Sequence, residues 1–149
     1  MDSDRITVER TIAAPPAEIF ALLSDAGKHQ DFDGSGTVRG TRQESRPLTL
    51  GTTFGMAMHM GVGYRTSNTV VEFEQDRRIA WKTTGLKGLV GGRIWRYELE
   101  PVDGGTLVKE SWDVSQDKQK FFLKRSKMPA GAKNGMRKTL ERIAAAVER

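Results

Sequence analysis

From Arg5 to Ile12 hydrophobic and polar residues alternate, with Ile6, Val8 and Ile12 in one phase. A period of two built on β-branched residues predicts a half-buried strand. Ala14-Pro15-Pro16 ends it, because proline has no amide donor and biases the preceding residue toward extended geometry. Pro16 suits the first position of a helix. The stretch Ala17–Leu23 predicts a short one, with Ile19, Phe20 and Leu23 on its buried side. Gly27 and the polar run to Gln30 break it, and a second helical turn is expected from Lys28 to Phe32. From Gly36 to Val114 the period is again two. Six further strands are predicted: Thr37–Gln43, Thr53–Met60, Arg65–Glu74, Arg78–Thr84, Arg93–Glu100 and Thr106–Val114. Turns are expected at Pro47–Gly51, Gly61-Val62-Gly63, Gln75-Asp76-Arg77 and Asp103-Gly104-Gly105, with a glycine-rich loop over Gly85–Gly92; Asp-Gly between alternating segments is a hairpin signal. The period then lengthens. Met136, Leu140, Ile143 and Val147 form one apolar stripe, which predicts a helix from about Ala130 to Glu148. Pro129 is placed to open it, and Gln116–Lys127 is expected to be a looser helical segment.

This order, one strand, two short helices, six strands and a long helix, predicts an α+β fold. A six- to seven-stranded antiparallel sheet cannot bury its concave face against itself, so the amphipathic helix must lie across it. The gap left between a curved sheet and one helix is a natural site for a small molecule. No repeat or linker divides the 149 residues, so a single domain over 1–149 is expected. The chain has no cysteine, which excludes disulfides and cysteine-ligated metal centres. Lys and Arg number 24 against 19 Asp and Glu, a formal net charge of +5 that permits contact with phosphates without requiring it. The polar start Met1-Asp2-Ser3-Asp4-Arg5 and the lack of a long apolar run point to the cytoplasm, without stable membrane insertion.

Several segments, in order, carry a family resemblance: Ile12–Asp25, Phe32-Asp33-Gly34-Ser35, Val71-Glu72-Phe73, Arg78-Ile79-Ala80-Trp81, Trp95–Pro101 with Gly104-Gly105-Thr106, and Asn134–Arg142. Over nearly its whole length the chain resembles the START and birch-pollen-allergen-like helix-grip superfamily (SRPBCC), in its polyketide cyclase/dehydrase-like branch. Phe32 departs from the pattern, since relatives often have Trp there. The resemblance implies a helix-grip fold with a hydrophobic cavity between sheet and final helix, and no universal catalytic residue; one fold hosts many functions.

Within that frame, Phe54, Met56, Met58 and Met60 share one strand face, and methionine adapts to irregular apolar ligands. Other strands add Phe73 (in phase with Val71 and Thr69), Trp81, Trp95, Tyr97 and Trp112, and Met136 and Leu140 would form the helical lid. The same side chains also serve as ordinary core. Tyr97 offers a hydroxyl and Glu110 a carboxyl whose burial would disfavour the charged form, so Tyr97, Glu110 and Arg96 are the catalytic candidates. A plainer reading pairs Glu110 with an arginine such as Arg96. His29 is expected to be exposed and His59 faces away from the methionines; two distant histidines make a poor metal site, and neither metal nor cofactor is expected. The Gly85–Gly92 loop lacks the phosphate-loop pattern. At the pocket mouth of a helix-grip fold it would act as a gate carrying Leu86, Leu89 and Val90. Lys118–Lys127 interleaves basic residues with Phe121 and Phe122, which could touch nucleic acid or a membrane surface, but the plainer reading is a solvated helix face beside packed aromatics, and nucleic acid is not the expected partner.

Three functions are thus compatible with the sequence. The first is binding of a small hydrophobic or aromatic molecule, lipid- or polyketide-like, by a monomer or homodimer. The second is a polyketide cyclase/aromatase-type enzyme acting in the same cavity. The third is a protein- or RNA-contacting module using residues 118–127.

Overall fold

The computed structural model describes residues 4–25, 47–60, 62–85, 90–118, 120, 125 and 128–148, with backbone alone at 56–60, 62–65, 90 and 128. In chain order the elements are β1 (Arg5–Ile12), α1 (Pro16–Leu23), β2 (Thr53–Met60), β3 (Val62–Glu74), β4 (Arg78–Gly85), β5 (Val90–Val102), β6 (Gly105–Asp113) and α2 (Met128–Val147). The strands form one antiparallel sheet in the order β1-β6-β5-β4-β3-β2. Strands β2 to β6 are a meander, and the first strand returns to pair with the last. This is the α+β helix-grip arrangement expected. The expected helical turn at Lys28–Phe32 and the strand at Thr37–Gln43 lie outside the described residues. In the expected helical segment Gln116–Lys127, Gln116–Lys118 is a turn region, Lys120 and Arg125 are helical, and the other residues lie outside the described ones.

Local chemistry explains the helix ends. Pro15, at φ −69 and ψ 152, holds extended geometry before α1, and Pro16 takes its first position. The Ser24 hydroxyl donates to the Phe20 carbonyl at 2.7 Å and closes the last turn. Pro129 falls in the first turn of α2, where its missing donor costs no helical bond. The stripe Met136, Leu140, Ile143 and Ala144 is buried, and α2 packs on β1 and β6 with α1 beside it. Met136, Leu140 and Ile143 each contribute about 1.5–3 kcal/mol on burial.

Three departures from expectation arise through glycine or a bulge. Val62 pairs with Met60, so Gly63 lies in β3 opposite His59 rather than in a turn. Strand β5 begins at Val90 rather than Arg93, with Val90 paired to Gly85. Gly91 and Gly92, at φ 94 and 108, take up a register shift between Thr83 and Thr84, so they form a bulge within the sheet instead of a loop. A Cβ on Gly92 would sit 2.7 Å from the Gln116 carbonyl oxygen, which is why the chain leaving β6 can pack so closely there. The third departure is a bulge between Val70 and Glu72 in β3. It turns Val71 outward (38% exposed) while Val70 stays buried at 1%. The expected grouping of Val71 and Thr69 with Phe73 is therefore wrong. Before the bulge the inward residues are Asn68 and Val70; after it, Phe73.

Candidate functional site

Cross-strand partners share a face, so the register sorts the inward side chains into rows across the sheet. One row runs Phe54, Asn68, Thr83, Arg93 across β2 to β5. The next runs Val70, Trp81, Trp95, Trp112, Ile6 from β3 to β1. A third runs Phe73, Ile79, Tyr97, Glu110, Val8 over the same strands. The rings interlock between rows. Phe54 meets Trp81 edge-on at 5.7 Å, Trp81 lies 5.5 Å from Tyr97, and Phe20 of α1 meets Phe73 edge-on at 5.5 Å. Met136 and Leu140 belong to the same buried cluster, against which the partly exposed Trp95 and Phe73 pack.

The expected wall residues Phe54, Phe73, Trp81, Trp95, Tyr97, Trp112, Met136 and Leu140 are thus brought together on one side of the sheet. The side chains of Met56, Met58, Met60, His59 and Val90 are not among those described, and Leu86, Leu89 and His29 lie outside the described residues altogether.

Within this apolar surface the Tyr97 hydroxyl donates to Glu110 Oε2 at 2.9 Å, with Glu110 only 2% exposed. Arg96 does not join them. As the neighbour of Tyr97 on an alternating strand it points to the opposite face, so both its pairing with Glu110 and its place beside Tyr97 as a proton-moving group are corrected. There its Nε and Nη2 donate to the two oxygens of Glu72 at 2.9 and 2.6 Å, and its Nη1 to Asp113 at 3.3 Å. Arg5 adds a contact to Asp113 at 3.6 Å, and Arg78 bridges Glu72 at 3.9 Å and Glu98 at 3.3 Å. Hydrogen bonding from Arg96 holds the Glu72 carboxyl below its usual range against the opposing effect of burial. For Asp113 burial acts upward, but hydrogen bonds from Ser115 and Arg96 outweigh it and the net direction is down. Bonding to Glu72 raises the Arg96 guanidinium in turn. On the same outer face, a depression of about 310 Å3 is lined by charged side chains including Glu74, Arg78, Glu98 and Lys109. It has none of the aromatic lining of the inner face.

The sequence reading missed three inward polar groups. Asn68 is buried at 1%; its Nδ2 donates to the Phe54 carbonyl and Thr66 Oγ1, and its Oδ1 accepts from Thr83 at 2.7 Å. A phase counted back from Phe73 hid it, because the bulge intervenes. Arg93 Nε donates to Asp117 Oδ2 at 3.2 Å. Arg93 shares the phase of Trp95, a signal that was present; for Asp117, beyond the last strand, there was none.

Among the described residues no three His, Asp or Glu side chains are grouped to hold a metal ion, and no helix is long and apolar enough to cross a membrane. In the basic segment Lys118 and Arg125 are exposed, and Lys120 pairs with Asp4 at 3.6 Å.

Comparison with known proteins agrees with this geometry. The chain is 32% identical over 111 residues to the uncharacterized protein Rv0088 of Mycobacterium tuberculosis, a match that covers 73% of this chain and 47% of that one. The chain thus spans about half the length of the curated relatives it matches. The crystal structure of protein CV1439 from Chromobacterium violaceum superposes with a TM-score of 0.74 at 17% identity, covering 98% of each chain. The Aha1 dimer of Colwellia psychrerythraea gives 0.69 at 17% identity, covering 97% of this chain and 96% of that one. At such identities these two establish the fold alone. The sequence model of the family described as polyketide cyclase / dehydrase and lipid transport matches residues 3–148, and the chain belongs to that family.

Proposed function

We propose that residues 1–149 act as one helix-grip domain that binds a small hydrophobic or aromatic molecule, lipid- or polyketide-like, between the inner face of the sheet and α2. The observation that carries this reading is the row Trp81, Trp95, Trp112. Three indoles from adjacent strands face the same side, and Trp95 keeps partial exposure where a pure core would bury it. Aromatic and aliphatic walls with few, placed polar groups are what small-molecule sites have in common. Native mass spectrometry of freshly purified protein tests it: a co-purifying small molecule is expected, together with enhanced fluorescence of added 8-anilinonaphthalene-1-sulfonate that this molecule displaces. Absence of both a co-purifying molecule and dye binding would overturn the proposal.

The Tyr97–Glu110 pair favours a second reading, an enzyme of the cyclase or aromatase kind in the same place. With the Tyr97 hydroxyl donating to Glu110 at 2.9 Å, the carboxylate can take the α-proton of a bound ketide while Tyr97 protonates its carbonyl oxygen, and the proton gained by Glu110 then passes to the Tyr97 phenolate. Tyr97→Phe and Glu110→Gln separate the readings. Both variants retain ligand affinity if the site only holds its guest; both lose turnover while still binding if the pair moves protons. We place the protein in the cytoplasm as a monomer or homodimer.

A further inference from the structure

The row that closes the inner face at its Gly91–Gly92 end carries more polar side chains than the other two, and one of its members is built differently from the rest. Asn68 and Thr83 are committed to one another and to Phe54 and Thr66. Arg93 is not committed in that way. Its Nε donates to Asp117 Oδ2, and among the described residues its two Nη nitrogens make no hydrogen bond. The Asp117 side chain is 0% exposed and that of Arg93 21%. A carboxylate buried to that degree fixes its partner, so the guanidinium is held through Nε, while the Arg93 side chain as a whole keeps partial exposure. A guanidinium has five donors in a planar fork, and the Nη1/Nη2 edge matches the two oxygens of a carboxylate. Arg93 stands one inward step from Trp95 and two from Tyr97, about 7 and 13 Å along the strand.

We propose that Arg93, positioned by Asp117, is the head-group anchor of the proposed ligand site and selects molecules with a carboxylate at one end and an apolar body that lies along Trp95 toward Tyr97. This rests on the binding function proposed above and names the class of ligand it takes. Arg93 is the binding group. Asp117 is a positioning residue that holds the fork in one orientation through its bond to Nε.

Calorimetric titration of the whole chain with decanoate and with methyl decanoate, below their aggregation limits at pH 8, tests this. The wild type is expected to bind the acid at least tenfold more tightly than the ester. In the double variant Arg93→Met/Asp117→Asn, which removes both charges without stranding a buried carboxylate, affinity for decanoate falls ten- to a hundredfold, the range of a charge-assisted hydrogen bond. Affinity for the ester stays within about twofold, because it makes no such bond. Arg93→Lys keeps the charge without the fork and restores only part of the preference. Equal affinity of the wild type for acid and ester, or a parallel loss of both in the double variant, overturns the anchor while leaving the binding function standing. Failure of the wild type to bind either compound overturns both.

Discussion

Arg96 shows what a single position does in this sheet. One residue from Tyr97, it faces the other way and joins Glu72 and Asp113 in a network that Arg5, Arg78 and Glu98 extend. Replacing it by Met strands two carboxylates. Breaking a fully buried pair costs about 3–5 kcal/mol. Glu72 retains 31% exposure, so about 2 kcal/mol is expected for Arg96→Met at neutral pH. The loss depends on pH. Glu72 and Asp113 sit below their usual values of 4.5 and 3.8 in the folded protein, so the stability they contribute is complete above those values and disappears as pH falls through the lower folded ones. Urea unfolding at pH 7 and pH 3 should therefore show the gap between wild type and variant shrinking in acid. An equal gap at both would place the energy in packing rather than charge. That Arg96 faces outward was legible from alternation with Tyr97. That Glu72 would reach it was not, because that register depends on the bulge at Val71.

At the scale of elements, the sequence reading succeeded where one period persisted and failed where glycine or a bulge interrupted it. Strand β2 has its expected ends, Thr53 and Met60, and α1 opens at Pro16 as proline chemistry requires. In β3 the pair Val70-Val71 carries no signal of which residue is inside, since both are β-branched and apolar. The bulge decides it, and with it the identity of Asn68 as an inward group. The assignment can be checked by truncation. Val70→Ala should cost about 2 kcal/mol through lost burial and a residual cavity. Val71→Ala should fall within about 0.5 kcal/mol of wild type, as exposed substitutions do. Chemical-denaturation midpoints measure both, and the reverse order would mean that β3 runs without the bulge. Gly105 marks a similar limit. Sequence identifies it as half of a hairpin signal, but not that a Cβ there would collide with the Ile12 carbonyl oxygen of the adjoining strand.

For the molecule as a whole, the question is which inner-face aromatics hold the fold together and which are available to a guest. Sequence could not separate the two, because a wall of the site and a wall of the core have the same composition and phase. Burial separates them. Trp112 is 2% exposed within the cluster that α2 covers, whereas Trp95, its direct partner on β5, is only partly buried. Trp112→Ala should cost about 3–5 kcal/mol, as truncating a buried aromatic does. Trp95→Ala should cost clearly less. With ligand the ranking changes. A molecule that binds only the folded state at a hundred times its Kd stabilises by about 2.7 kcal/mol, which in a domain of this size raises Tm by roughly 5–10 °C. Trp95→Ala removes part of the surface that the ligand covers, so it should lose most of that rise while keeping most of its intrinsic stability. Arg93→Met/Asp117→Asn should lose the rise for decanoate alone. Thermal melts of these variants with and without ligand separate the contributions, because each is compared with its own unliganded form. A full rise in Trp95→Ala would move the ligand off the tryptophan row and leave that row to the core.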